Sequence, residues 1–119
     1  MNTQKLFDLN GKTAIITGGG NGIGKAVCEL MSAYGANVVV ADLKIEDAQV
    51  VSEQLIEDGG KALPVLCNVT QDEDLVNLVK VTVEKFGGID ILVNNAGGGG
   101  AGRENPFKIN LDDFTRVFK

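Results

Sequence analysis

The chain has 119 residues, of which 44% are hydrophobic and 23% charged, a balance typical of a single soluble globular domain. The formal net charge is −5, and the sequence shows no cluster of basic residues, which argues against nucleic acid as a partner. No apolar run reaches the roughly 18–20 residues of a membrane span, and residues 1–10 lack the apolar core of a secretory signal.

The first part of the chain alternates apolar runs with helical spacings. Residues 13–17 form a β-branched run between two glycines, which predicts a strand buried on both faces of a sheet. A glycine cluster over residues 18–24 follows, and a helix then extends to Gly35, where glycine stops it. The side chains of this helix expected to face the core are Ile23, Val27, Leu30 or Met31, and Tyr34.

The same alternation continues to the end of the chain. Residues 37–41 predict a second strand that ends at Asp42, and residues 46–58 predict a second helix. The remaining predicted elements are a third strand over 62–67 with Pro64 suited to a sheet edge, a helix over 72–86, a fourth strand over 89–93, a glycine-rich loop over 98–102 and an amphipathic helix from Asn110.

This order of elements determines the predicted fold class. Strands that alternate with helices predict an α/β fold, here a doubly wound parallel sheet of the Rossmann type with helices on both faces. Cys28 and Cys67 follow no ligand or disulfide spacing, which favours two reduced thiols in a cytoplasmic protein. Because the chain has no histidine, no metal site and no histidine-dependent hydrolase are predicted from these residues.

The glycine cluster has the context of a phosphate-binding turn. Gly18, Gly22 and Gly24 come directly after the first strand and open the first helix. A helix N-terminus carries unpaired N–H groups and a partial positive charge, and glycine lets a ligand approach them closely. The cluster therefore favours a dinucleotide-binding turn over a plain strand–helix connection.

A second phosphate-binding pattern overlaps the same residues. Gly19 to Lys25 fits the P-loop pattern G-x-x-x-x-G-K, and residues 38–42 resemble the apolar strand whose terminal aspartate holds magnesium. The residue after the lysine is Ala26, which lacks the hydroxyl that binds Mg²⁺. A P-loop phosphotransferase stays open as the weaker alternative.

An acidic residue at the end of the second strand indicates which nucleotide the turn prefers. Asp42 follows the glycines by about 20 residues, the spacing at which a carboxylate accepts hydrogen bonds from the ribose 2′-OH of NAD. The same charge would repel a 2′-phosphate, by about 4 kcal/mol at ~4 Å before screening. The sequence therefore predicts NAD rather than NADP as the cofactor.

Two spaced motifs resemble the short-chain dehydrogenase/reductase family. Residues 17–24 resemble the T-G-x-x-x-G-x-G motif, and residues 94–97 resemble the N-N-A-G motif at the end of the fourth strand. Asn68 and Val69 stand where the family usually has Asp-Val, and Asp90 fits the usual approach to the fourth strand. The resemblance covers the whole chain and implies that residues 1–119 are the N-terminal part of one NAD(P)-binding Rossmann domain.

The resemblance also implies a set of cofactor-binding residues. The group expected at the pyrophosphate and nicotinamide ribose is Gly18, Asn21, Gly22, Ile23 and Gly24. The groups expected at the adenosine half are Asp42 and Leu43 at the ribose, Asn68 and Val69 at the adenine, and Asn95, Ala96 and Gly97 along the adenine-ribose side.

The implied activity is interconversion of a secondary alcohol and a ketone with NAD(H). The family uses a serine, a tyrosine and a lysine four residues after the tyrosine, and none of these can be placed here. The single tyrosine, Tyr34, is followed four residues later by Val38. No catalytic residue is therefore assigned, and the 119-residue segment alone is predicted to be inactive.

The sequence also suggests a substrate class, an assembly and one alternative function. The glycine run over 97–100 resembles that of bacterial 7-alpha-hydroxysteroid dehydrogenases, which suggests a hydroxysteroid substrate. The family implies a homodimer or homotetramer, and the lack of a long apolar run predicts no membrane partner. The alternative is a non-catalytic nucleotide-binding module or a truncated inactive fragment.

Overall fold

Four short apolar segments form a parallel sheet in the computed structural model, which describes residues 8–95. The strands are, in chain order, β1 (Thr13–Thr17), β2 (Asn37–Asp42), β3 (Lys61–Leu66) and β4 (Ile91–Asn94). They lie in the order β3-β2-β1-β4, and every neighbouring pair is parallel. All five residues of β1 are buried, as the β-branched run predicts for a central strand.

Three helices connect the strands. They are α1 (Gly22–Ala33), α2 (Ile45–Glu57) and α3 (Asp72–Phe86). Acidic residues occupy the first turns of α2 and α3, where they stabilise the positive end of the helix dipole. Each helix is followed by a glycine at positive φ, with values of 101° at Gly35, 94° at Gly59 and 89° at Gly87. These left-handed residues explain why each predicted helix ends close to its glycine.

Alternating side chains of the sheet build one hydrophobic layer on each face. On one face, α1 and α2 pack over Ala14, Ile16, Val38 and Val40. On the other face, α3 packs over Ile15, Val39, Ala41 and Val65. Helices on both sides of a parallel sheet confirm the predicted doubly wound α/β fold of the Rossmann type.

The predicted inward face of the first helix is wrong at Ile23, and of the alternatives Leu30 and Met31 it is Met31 that packs against the core. Ile23 is 75% exposed and Leu30 is 56% exposed, whereas Gly24 and Cys28 are the buried residues of α1. This helix begins directly at the end of β1, so its first turns lie close to the sheet. Only small side chains, those of Gly24 and Cys28, are fully buried between α1 and the strands, whereas Val27 and Met31 pack partly buried against the same core.

The strand boundaries differ slightly from the predicted ones. β4 begins at Ile91 because the preceding Asp90 pairs with Thr13 through its side chain. The carboxylate of Asp90 accepts a hydrogen bond from the N–H of Thr13, and the N–H of Asp90 donates to the carbonyl of Thr13, each at 2.9 Å. Pro64 lies on the edge strand β3, as expected of a residue without an N–H. The predicted glycine-rich loop over 98–102 and the helix from Asn110 lie outside the described residues.

The outer edge of β4 is unpaired among residues 8–95. β4 pairs with β1 alone in this part of the chain, and Leu92 is 39% exposed. Within the described residues, β4 therefore presents an apolar strand edge. No helix between residues 8 and 95 combines the length and apolarity that crossing a membrane requires.

Replacing Leu78 by alanine tests the packing of α3 on the sheet. Leu78 is 0% exposed, so we expect Leu78→Ala to lower the free energy of unfolding by about 2–5 kcal/mol. Val76, on the same helix, is 40% exposed, and Val76→Ala should change it by less than about 0.5 kcal/mol. Urea unfolding of the complete protein measures both values, and equal effects of the two substitutions would contradict the observed orientation of the helix.

Candidate functional site

The carboxyl ends of the four parallel strands place the predicted site residues along one edge of the sheet. In a parallel sheet all strands end at the same edge, and the connecting helices begin there. The residues that follow each strand are Gly18, Asn21, Gly22, Ile23 and Gly24 after β1, Leu43 after Asp42 at the end of β2, Asn68 and Val69 after β3, and Asn95 after β4. Ala96 and Gly97 lie outside the described residues.

The turn after β1 requires glycine at three positions. Gly18 and Gly22 adopt φ values of 65° and 58°, a left-handed conformation that other residues rarely take. Gly24 is buried, and a Cβ there would collide with the carbonyl of Gly18. The first turn of α1 therefore lies directly against the end of β1, an approach that any side chain at this position would prevent.

The N-terminus of α1 is suited to an anion. Its N-cap residue, Asn21, makes no side-chain hydrogen bond to the helix, and the first turn contains no acidic residue. Gly22 and Ile23, the first two helical residues, are both exposed. The helix thus presents its first N–H groups and its positive end toward this edge without an acidic side chain in its own first turn to neutralise them.

The carboxylate of Asp42 lies beside this turn and is held from two sides. Its Oδ2 accepts a hydrogen bond from the N–H of Gly20 at 2.9 Å, and its Oδ1 accepts one from the N–H of Lys44 at 2.9 Å. The residue is only 8% exposed. Each carboxylate oxygen has a second lone pair, so the group can still accept bonds from a ligand.

Gly20 has a role that the sequence motif did not reveal. A Cβ on this residue would lie 2.8 Å from Oδ2 of Asp42 and 2.7 Å from Cβ of Asp47. The glycine therefore allows the turn to approach both the carboxylate and the first turn of α2. In the sequence it occupies a variable position of the motif, which is why it was not among the predicted site residues.

The end of β4 is tied to the same turn. The N–H of Asn95 donates to Oγ1 of Thr17 at 3.0 Å, and Nδ2 of Asn95 donates to the carbonyl of Gly18 at 3.2 Å. The hydroxyl of Thr17 also donates to Oδ1 of Asn94 at 3.2 Å. The second motif thus supports the first one, and the bond of Asn94 to Thr17 links β4 to β1.

The segment after β3 forms its own hydrogen-bonded turn. Oδ1 of Asn68 accepts bonds from the N–H and the hydroxyl of Thr70, at 3.0 and 2.6 Å, and the N–H of Asn68 donates to Asp74 at 2.8 Å. No partner within residues 8–95 accepts a hydrogen bond from Nδ2 of Asn68, so the amide donor, rather than the carbonyl, is available to a ligand. Val69 is 8% exposed and belongs to the hydrophobic core between α3 and the sheet.

Exposed apolar side chains lie along the same edge. Leu43 is 64% exposed, and Leu66 is 53% exposed. Leu66 stands opposite Asp42 in the parallel register of β2 and β3. The sequence by itself does not indicate Leu66 as a site residue, because only the strand pairing places it beside the carboxylate.

The two cysteines are buried in opposite layers and form no disulfide. Burial, followed by the charges of Glu29 and Asp42, raises the pKa of Cys28 from 9.0 to about 12. Burial, followed by Asp74, raises the pKa of Cys67 from 9.0 to about 11. Both thiols therefore stay protonated near neutral pH. No cluster of three potential metal ligands occurs in the described part of the chain.

Comparison with known proteins identifies close relatives for this arrangement. The model of the short chain dehydrogenase family matches residues 12–119. The 7alpha-hydroxysteroid dehydrogenase of Escherichia coli is 41% identical over 111 residues, which are 93% of this chain and 42% of that protein. The 2,5-dichloro-2,5-cyclohexadiene-1,4-diol dehydrogenase of Sphingobium indicum is 48% identical over 91 residues, 76% of this chain and 35% of that protein.

A solved structure shares both the fold and the sequence pattern. It is a 7 alpha-hydroxysteroid dehydrogenase complexed with NADH and 7-oxo glycochenodeoxycholic acid, and it superposes with a TM-score of 0.79 at 36% identity. The superposition covers 98% of this chain and 49% of that one. The chain thus spans less than half the length of the relatives described here.

Replacing Gly24 by alanine tests the close approach of α1 to β1. We expect Gly24→Ala to lower the free energy of unfolding by about 1–3 kcal/mol or more, because the added methyl meets backbone that cannot move freely. At Gly88 a Cβ would meet nothing within 4 Å, so Gly88→Ala should stay within about 0.5 kcal/mol. Urea unfolding of both variants of the complete protein measures the difference, and a Gly24→Ala variant as stable as the unmodified protein would contradict the contact.

Proposed function

Since the chain belongs to the short-chain dehydrogenase family, we propose that the complete protein is an NAD(H)-dependent oxidoreductase that interconverts a secondary alcohol and a ketone. The observation that carries the proposal is the position of the Asp42 carboxylate, fixed beside the uncapped N-terminus of α1. A dinucleotide needs two such groups side by side at one edge of a sheet. The positive helix N-terminus binds the diphosphate, and the carboxylate accepts hydrogen bonds from the adjacent sugar.

The diphosphate would bind at the first turn of α1. The exposed N–H groups of this turn can donate to phosphate oxygens, and the dipole of the helix favours the negative charge. Gly22 and Gly24 bring no side chain between the backbone and the ligand. Asn21, whose side chain is not used as a helix cap, can turn toward the same anion.

The adenosine half would bind along the ends of β2 and β3. Asp42 would accept hydrogen bonds from the ribose hydroxyls with its remaining lone pairs. The adenine ring would lie against Leu43 and Val69 with the amide of Asn68 as a donor. Leu66, exposed beside the carboxylate, adds apolar surface to this region. Asn95, together with Ala96 and Gly97, would line the side toward β4.

The carboxylate also favours NAD(H) over NADP(H). A 2′-phosphate would stand next to Asp42, whose two tethered oxygens cannot turn away from it. The nicotinamide ring of the bound cofactor would supply or accept the hydride of the reaction. The part played by residues 8–95 is to bind and orient the nucleotide.

The groups that move the proton belong, in this proposal, to the rest of the complete protein. Tyr34 caps the C-terminus of α1, at the edge of the sheet opposite the cofactor-binding turn. A general acid has to lie within hydrogen-bond reach of the reacting oxygen, and this position is a whole helix length away. The 119-residue segment by itself is therefore expected to bind cofactor without catalysing turnover.

A hydroxysteroid is the substrate that the relatives favour. A 7alpha-hydroxysteroid dehydrogenase is 41% identical, and a structural neighbour was solved with a 7-oxo bile acid. The same family resemblance supports a cytoplasmic homodimer or homotetramer. The remaining alternative is a module that binds the nucleotide without catalysis.

Titration with nucleotides tests the cofactor. We expect NADH to bind the complete protein and NADPH to bind at least about tenfold more weakly, because the charge of Asp42 opposes the 2′-phosphate. Asp42→Asn removes that charge and should reduce the preference, whereas Asp58→Asn, beyond the far end of α2, should leave it unchanged. Isothermal calorimetry measures the affinities for NADH, NADPH and magnesium-ATP. Tighter binding of magnesium-ATP than of NADH would favour the P-loop alternative.

Turnover of a bile acid tests the substrate. We expect the complete protein to oxidise a 7α-hydroxy bile acid with NAD, followed as NADH absorbance, and to leave simple sugars unoxidised. Asp58 lies outside the proposed cofactor site, so the Asp58→Asn variant serves as the control and should turn over the bile acid at the unmodified rate. NADH binding without turnover of any secondary alcohol would instead support the non-catalytic module.

A further inference from the structure

One peptide unit of the glycine turn is held at both of its ends by buried side chains. The carbonyl of Gly19 accepts a hydrogen bond from the thiol of Cys28, with 3.8 Å between Sγ and the oxygen. The N–H of Gly20, the other end of the same peptide, donates to Oδ2 of Asp42 at 2.9 Å. We propose that Cys28 is a positioning residue for the cofactor, because its thiol and the carboxylate together fix the orientation of this peptide.

The turn needs such support because of its composition. Residues 18–20 are three successive glycines, and glycine adopts many backbone conformations at little cost. A rotation of the Gly19–Gly20 peptide would break both hydrogen bonds at once. It would also direct the carbonyl oxygen toward the carboxylate of Asp42, where two negative groups repel each other.

Packing around Gly19 restricts the same peptide from other directions. A Cβ on Gly19 would lie 3.0 Å from Sγ of Cys28 and 3.0 Å from Cγ1 of Val40, so the backbone is in close contact with both side chains. The N–H of Gly19 donates to the carbonyl of Ala41 at 3.1 Å. The thiol thus fills the space below the turn and donates a hydrogen bond to it from α1.

A buried thiol can keep this role over the whole neutral pH range. Cys28 is 0% exposed, and burial raises its pKa to about 12, with further contributions from Glu29 and Asp42. The Sγ atom therefore remains an S–H donor rather than a thiolate. S–H donors are weak, so the effect on affinity should be small but measurable.

The consequence for the cofactor rests on the proposed function. The peptide fixes Asp42, and Asp42 is the group proposed to bind the adenosine ribose. Loss of the thiol should therefore weaken the binding of any ligand that carries this ribose, without removing a direct contact to it. In the unliganded protein, loss of the thiol should also weaken the hydrogen bond from the N–H of Gly20 to Asp42.

Two substitutions at Cys28 separate the donor from the volume. Cys28→Ala and Cys28→Ser have nearly equal size, and only serine keeps a donor. We expect Cys28→Ala of the complete protein to weaken NADH binding about two- to fivefold, with Cys28→Ser closer to the unmodified protein. Cys67→Ala, which removes the buried thiol of the opposite layer, should leave the affinity unchanged. Equal losses in the alanine and serine variants would overturn the proposal.

A spectroscopic measurement tests the hydrogen bond without relying on cofactor binding. The infrared S–H stretch of Cys28, assigned as the band that disappears in Cys28→Ala, should lie at the lower frequency of a hydrogen-bonded thiol. A band at the frequency of an unbonded thiol would contradict the proposal. If the unmodified protein fails to bind NADH while this band is shifted, the proposed function fails and the positioning of the peptide stands.

Discussion

The candidate site depends on one carboxylate that accepts hydrogen bonds from two separate backbone segments. Asp42 joins the glycine turn after β1 to the start of α2 through the N–H groups of Gly20 and Lys44. A charged group that is 8% exposed needs such bonds, because burial without them would cost several kcal/mol. The same bonds place the negative charge at a fixed distance from the positive end of α1.

The parallel sheet explains why these groups meet at all. Because β1, β2, β3 and β4 run in the same direction, their carboxyl ends share one edge and each helix begins beside it. Asn95 and Thr17 then tie the outermost of these ends to the glycine turn. The fold therefore collects residues that are up to 78 positions apart in the chain, such as Thr17 and Asn95, into one continuous surface.

Small residues control how closely the layers approach. Gly24 lies against the carbonyl of Gly18, and Gly19 lies against Cys28 and Val40. Ile23 and Leu30 of α1 face the outside, where Ile23 borders the candidate site. This close packing links the stability of the domain to the shape of its binding surface, since a change beneath the turn also moves the groups above it.

The sequence alone determined the order of the elements, the doubly wound fold and the residues at the strand ends, because these follow from local patterns of apolar and glycine residues. It predicted Asp42 and the glycines of the turn for the same reason. Only the tertiary structure decided which face of α1 is buried, why Gly20 has no side chain, and how Leu66 comes to lie beside Asp42. These features depend on distances between segments far apart in the chain, and no local pattern encodes such distances.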